Sequence, residues 1–216
     1  MITKFGYFTV GTVAIIFFVL VSVSFFINST ILKYSLISAA VLLMLFTLYF
    51  FRDPERIAPA ADNVVVSPAD GTVLVVKDVE PDEFIKEPAK QISIFMSPFN
   101  VHVNRIPISG KVNYLKYFKG DYLMANHEKA DKRNERNVIG ITSEYGNILF
   151  TQVAGFVARR IVYELKVGQI VNIGDRFGMI KFGSRVDVIA PKNWNVKIKE
   201  GDKVTAGETI LFEYNK

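Results

Sequence analysis

Gly110-Lys111-Val112-Asn113-Tyr114-Leu115-Lys116-Tyr117-Phe118 opens on glycine and is dense in β-branched and aromatic side chains, the composition of a strand. Runs of the same kind lie on both sides of it. Val64 to Val66, Thr72 to Val76, Gln91 to Phe95, Val138 to Thr142, Ile148 to Val153 and Phe177 to Phe182 are β-rich, and Gly or Pro punctuates several of them. Arg159 to Lys166 reads as a strand or a short helix, and the charged stretch Ala125 to Asn137 as a surface loop or short helix. The expected fold of this part is mainly β, an antiparallel sandwich or barrel.

The first fifty residues obey a different rule. Phe5 to Ile27 is an uncharged apolar segment, about 34 Å long as a helix and sufficient for a hydrocarbon core of about 30 Å. Tyr34 to Phe51 is a second such segment after the short connector Asn28 to Lys33, so the expectation is an antiparallel transmembrane hairpin. The domain plan is a hairpin over residues 1–52 and a β-rich catalytic domain over 53–216. A signal peptide fits less well, because the apolar run is long and no small-residue cleavage pattern follows. Lys4, Arg52 and Arg56 lie on one side of the hairpin against Lys33 on the other, which favours a cell-membrane protein with its catalytic domain in the cytoplasm.

Composition narrows the chemistry. The absence of Cys excludes disulfides and thiolate catalysis, and two His without a compact carboxylate cluster argue against a metal site. Net charge is +5, yet the basic residues are dispersed and no nucleic-acid motif appears; anionic lipid headgroups are the better partner.

Three short motifs can assemble a serine-activating site: Ser67-Pro68-Ala69-Asp70-Gly71, Phe99 to Arg105 around His102, and Phe182-Gly183-Ser184-Arg185-Val186-Asp187. Any Ser/His/Asp arrangement must use His102 or His127. His127, within Asn126-His127-Glu128-Lys129, reads as a solvated loop residue. Together with Phe51-Arg52-Asp53-Pro54, Asn134-Glu135-Arg136-Asn137 and the run Gln152 to Arg160, these motifs resemble the short form of the phosphatidylserine decarboxylase family, in the family's order from about Phe50 onward.

That resemblance implies a self-processing enzyme that makes a pyruvoyl group from its own serine. Ser184 is then the precursor of the pyruvoyl group, Gly183 its neighbour across the scissile bond, and Asp70 with His102 the activating pair. Longer members carry a second His three residues after the first; here that position is Arg105. The ketone so formed can condense with the amine of an aminoacyl lipid and act as an electron sink while carbon dioxide leaves. The substrate is phosphatidylserine or its archaeal ether analogue, archaetidylserine, without a metal. The fragments 1–183 and 184–216 would stay together as a heterodimer, with room for a homo-oligomer. Arg105, Arg159, Arg160 and Arg185 are the candidates for holding a phosphodiester or carboxylate.

A short internal repeat supports a rival. Val167 to Asp175 matches Glu200 to Glu208 with the glycines 33 positions apart, a β-turn-β pattern that resembles half-motifs of biotinyl and lipoyl carrier domains. The rival function is a membrane-anchored carrier or adaptor without catalysis. A carrier needs an exposed modifiable Lys between its halves, where this chain has Gly183-Ser184-Arg185.

Overall fold

The computed structural model describes residues 1–120, 134–155, 160–181 and 184–215. The chain divides into two compact units, Met1–Pro54 and Glu55–Lys216. In the first, α1 (Tyr7–Ser24) and α2 (Thr30–Phe50) pack against each other as a hairpin. Large side chains such as Phe8, Phe18 and Leu42 stand exposed around both helices, and each is long and apolar enough to cross a membrane. Three hydroxyls are satisfied locally: Thr12, Ser24 and Thr47 donate to the carbonyls of Phe8, Val21 and Leu43, as suits a segment without water. The hairpin's ends meet where Thr3 N–H donates to Phe51 O at 2.9 Å.

The second unit is antiparallel β. Its strands are β1 (Val64–Val66), β2 (Gly71–Val79), β3 (Ala89–Met96), β4 (Val103–Arg105), β5 (Gly110–Phe118), β6 (Arg136–Ser143), β7 (Gly146–Ala154), β8 (Arg160–Tyr163), β9 (Ile170–Val171), β10 (Arg176–Lys181), β11 (Ser184–Pro191), β12 (Trp194–Val196), β13 (Lys203–Val204) and β14 (Ile210–Tyr214). Eight form one curled sheet in the order β13-β2-β3-β11-β7-β6-β5-β9, and two three-stranded sheets, β1-β14-β12 and β4-β10-β8, complete the half-barrel. Ile92, Ile94, Ile139, Ile148, Phe150, Val186 and Val188 project into one buried core with Phe177 and Phe212.

The hairpins seen in the sequence belong to a larger duplication. Gly168 and Gly174 adopt φ of 91° and 83°, and Gly201 and Gly207 adopt 86° and 77°, left-handed values that favour glycine. Gly174 N–H donates to Ile106 O at 2.9 Å, and Gly207 N–H repeats the bond to Ser67 O at 2.8 Å. Gly168 N–H bonds Val112 O, and Gly201 N–H bonds Val73 O. Ser67-Pro68-Ala69-Asp70-Gly71 thus corresponds to Ile106-Pro107-Ile108-Ser109-Gly110. A Cβ at Gly71 would lie 2.2 Å from Phe95 O and one at Gly110 2.4 Å from Thr142 O, so both strand starts demand glycine for the same reason. The half from β4 to β10 is inserted into the other, between β3 and β11. The chain leaves after β3 through Ser97–His102 and is back in the large sheet at β11.

Two expectations change. Asn134 and Asn137 are fully buried, and β6 starts at Arg136, so the end of the stretch read as a surface loop is sheet; residues 121–133 lie outside the described residues. The chain after Ser184, which was given no strand, is a central one. Arg185 and Asp187 disguise it, because they form a buried ion pair at 2.9 Å on the face away from the main core.

Candidate active site

Ser184 is the first residue of β11 and is fully buried, flanked by Met96 on β3 and Ala154 on β7. Its hydroxyl donates to Met96 Sδ at 3.2 Å. A thioether is a weak acceptor, so the hydroxyl is positioned without being strongly held. The walls are fixed by the motifs around them. Asn134 Nδ2 donates to Ala154 O at 2.7 Å, and Ala154 N–H donates to Glu135 O at 2.9 Å.

His102 reaches this place from the other crossover. Met96 ends β3, and the turn after it is closed by Ser97, whose N–H and hydroxyl both donate to Asn100 Oδ1. His102 follows, fully buried, with Nδ1 2.9 Å from Asn100 O. A carbonyl only accepts, so Nδ1 carries the proton and, in the neutral ring, Nε2 carries the lone pair of a base. The β4–β10 ladder pairs Val103 with Met179; one residue further sets His102 beside Ile180, four residues before Ser184. The two crossovers therefore bring the imidazole and the serine to the same end of the core.

A buried amide chain, not foreseen as a unit from sequence, supports that end. Asn137 Nδ2 donates to Gln152 Oε1 at 3.1 Å, and Gln152 Nε2 to Asn104 Oδ1 at 2.9 Å. Asn104 Nδ2 then meets Pro68 O at 3.3 Å and Met96 Sδ at 3.8 Å. Alternation along β4 puts His102 and Asn104 on one face and Arg105 on the other. Asn137 and Gln152 stood in sequence motifs, but their connection depends on strand register, which the sequence does not display.

Asp70 is engaged elsewhere. Its Oδ1 accepts from Ala206 N–H at 2.8 Å, and its Oδ2 pairs with Arg56 at 3.0 Å. The duplicated half has the same brace, with Ser109 Oγ accepting from Ile173 N–H at 2.9 Å. One part of Asp70's work is therefore structural, and the carbonyl of Asn100 orients His102. Asp70 still immediately precedes β2, which is paired to β3 next to where Met96 meets Ser184.

The arginines separate cleanly. Arg105 is buried with Nη1 3.0 Å from Gly174 O, in the wall of a polar cavity of about 430 Å³ that Arg56 and Arg176 also line. It stands opposite Arg176, at the far end of β10 from Ser184. Arg185 points to the opposite face from Ser184 and binds Asp187. Arg160 is exposed on β8, in register with Lys181 at the near end of β10. Gly183, Arg159 and His127 lie outside the described residues. Among the described residues no cluster of His, Asp and Glu could hold a metal ion.

Comparison with known proteins places the whole chain. A family profile described as "Phosphatidylserine decarboxylase" matches residues 43–212. A protein of Chlorobium chlorochromatii named "Phosphatidylserine decarboxylase proenzyme" is 46% identical over 215 residues, 99% of this chain and 100% of the relative. The same name belongs to relatives in Chlorobium limicola, 45% identical over 99% of this chain and 100% of the relative, and in Chlorobaculum tepidum, 51% identical over 82% of this chain and 81% of the relative. With the profile spanning most of the sequence and the relatives matching it nearly end to end, the chain belongs to the phosphatidylserine decarboxylase family.

Proposed function

We propose that this protein is a membrane-bound, self-processing decarboxylase that converts phosphatidylserine to phosphatidylethanolamine with a pyruvoyl group made from Ser184. The observation that carries the reading is a buried serine at the head of a central strand, at the same end of the core as a buried histidine whose Nδ1 is committed to a carbonyl. The relatives' names favour the diacyl lipid over archaetidylserine. The carrier alternative is less favoured, because Ser184 and Arg185, which stand where it expects an exposed modifiable Lys, begin the buried strand β11.

Processing begins when His102 Nε2 takes the Ser184 proton and Oγ attacks the Gly183 carbonyl. The C–N bond breaks and an ester forms. Loss of the Ser184 Cα proton then expels the Gly183 carboxylate, and hydrolysis of the resulting dehydroalanine releases ammonia. The residues fit this group: Ser184 heads its strand, and the packed faces of Met96 and Ala154 keep a ketone away from bulk water. Once formed, the group supplies a carbonyl that condenses with the headgroup amine and accepts the electrons left by carbon dioxide. His102 then returns the proton to the carbon that has lost its carboxylate. Asp70, braced by Arg56, supplies negative charge near the end of β3.

Intact mass tests this reading. The wild type should appear as fragments 1–183 and 184–216, the second starting with a ketone in place of an amine. A single uncleaved chain with full activity would overturn it. Borohydride reduction in the presence of substrate should attach the substrate to the fragment that starts at 184.

The helical hairpin leads to a separate expectation. A protein lacking the residues before Phe50 should self-cleave normally, since Ser184, His102 and Asp70 all lie beyond the helices. On vesicles its activity should fall by about 10²-fold, because the anchor confines enzyme and lipid to one surface and raises their effective concentration. Short-chain soluble phosphatidylserine should close most of that gap. Equal vesicle activity with and without the hairpin would give the helices another purpose.

A further inference from the structure

A side-chain amide nitrogen carries two hydrogens, and Asn104, which is fully buried, has an oxygen acceptor for one of them. Its Nδ2 donates to Pro68 O at 3.3 Å, while the other contact, to Met96 Sδ, is 3.8 Å long. A thioether is a weak acceptor even at short range. The same sulfur receives the Ser184 hydroxyl at 3.2 Å, so the under-used N–H and the reacting oxygen converge on one atom.

The direction of this amide is fixed from outside. Pro68 O can only accept, so the atom beside it is Nδ2, and Asn104 Oδ1 turns to Gln152 Nε2 at 2.9 Å. Gln152 Oε1 is then left to accept from Asn137 Nδ2 at 3.1 Å. Turning Asn104 over would set two acceptors against each other at Pro68 and two donors at Gln152. One backbone carbonyl thus sets the polarity of three buried amides and presents a donor beside the serine.

We propose that Asn104 is the oxyanion donor of self-cleavage. The proposal rests on the decarboxylase reading and supplies what that reading lacks, a group to hold the negative charge while His102 holds the proton. When Ser184 Oγ bonds to the carbonyl carbon before it, the C=O electrons move onto that oxygen and the hydroxyl proton goes to His102 Nε2. The charged oxygen and Oγ are then bonded to one carbon. The charge therefore forms two bonds from an atom that shares Met96 Sδ with the amide. As Oγ leaves the sulfur to attack, the second N–H of Asn104 exchanges a thioether for an anion, a far better acceptor. Collapse of the intermediate breaks the C–N bond, the freed amine takes the proton from His102, and the ester remains. A donor poorly used in the resting chain and well used in the intermediate lowers the barrier without adding to stability.

Asn104→Asp isolates this hydrogen. The new carboxyl is buried and faces Pro68 O, so it stays protonated, donates its one hydrogen there and still accepts from Gln152 Nε2. Both anchoring bonds survive, and the N–H toward Met96 is gone. In full-length protein made by cell-free translation in detergent micelles, cleavage followed by intact mass should slow by about 10²-fold, the usual loss on removing one oxyanion donor. In the Ser184→Ala background, where no chain is cut, the same substitution should leave the melting temperature nearly unchanged. Hydroxylamine, which cuts an ester, should not close the gap, because the variant is slow to form one. Asn113→Asp, at an exposed amide that donates to Thr142, should cleave at the wild-type rate.

Wild-type cleavage by Asn104→Asp overturns the proposal. Rapid release of the fragment 184–216 in hydroxylamine overturns it too, because that result puts the delay after the ester. If the Ser184→Ala background shows Asn104→Asp unfolded, Asn104→Ala takes its place in the same comparison, and wild-type cleavage there counts equally against the proposal. Failure of the decarboxylase reading is seen separately, as a wild type that stays uncleaved by mass.

Discussion

Ser184→Ala should yield one unbroken chain of 24.4 kDa, without the ketone and without decarboxylase activity. The substitution removes the attacking oxygen and leaves nothing for His102 to deprotonate. Its structural cost is small: the lost hydroxyl donates only to a thioether, and a buried hydrogen bond of ordinary strength contributes about 1 kcal/mol. The variant should therefore fold, keep β11 between β3 and β7, and melt close to the wild type. Cleavage of Ser184→Ala at the same peptide bond would remove Ser184 from the mechanism.

His102→Ala should slow self-cleavage by about 10²- to 10⁴-fold, the usual contribution of a positioned general base. Because Asn100 O fixes the ring, Asn100 substitutions that preserve the backbone should do far less. His127→Ala should process at the wild-type rate, and the reverse result for the two histidines would transfer the role to His127. Asp70 requires a subtler comparison. Asp70→Asn retains an oxygen for Ala206 N–H, and Asp70→Ser copies the brace that Ser109 makes in the other half. Both should preserve the fold while removing the charge, so slowed cleavage in both identifies a chemical role. Wild-type rates in both would leave Asp70 with its structural brace alone.

What the sequence reveals follows from how far each signal extends along the chain. The helices are legible because their apolar runs are continuous. β5 is legible because its nine residues carry their own strand composition. The 33-residue repeat shows because left-handed turns select glycine at fixed places. The older-looking match between Val64–Gly71 and Val103–Gly110 does not, since only Val, Pro and Gly coincide and the hydrogen bonds that define it are made by backbone. β11 was obscured by charges that cancel only after folding. For the proposed site, Ser184, His102 and Asp70 stand in short motifs that the sequence displays, whereas the contacts of Asn104, Gln152 and Arg56 depend on which strands lie side by side.

The interleaving of the two halves bears on what a cut before Ser184 can do. Three of the four strands after residue 183 are threaded among strands that precede them: β11 between β3 and β7, β13 on β2, and β14 on β1. A fragment that starts at residue 184 would thus be a structural staple, and pulling it out would open the large sheet down its middle. Breaking one covalent bond frees a chain end without freeing a subunit. Separation should require denaturant, and a protein expressed as two pieces divided at that point should reassemble by strand insertion, with its new terminus already seated among its neighbours.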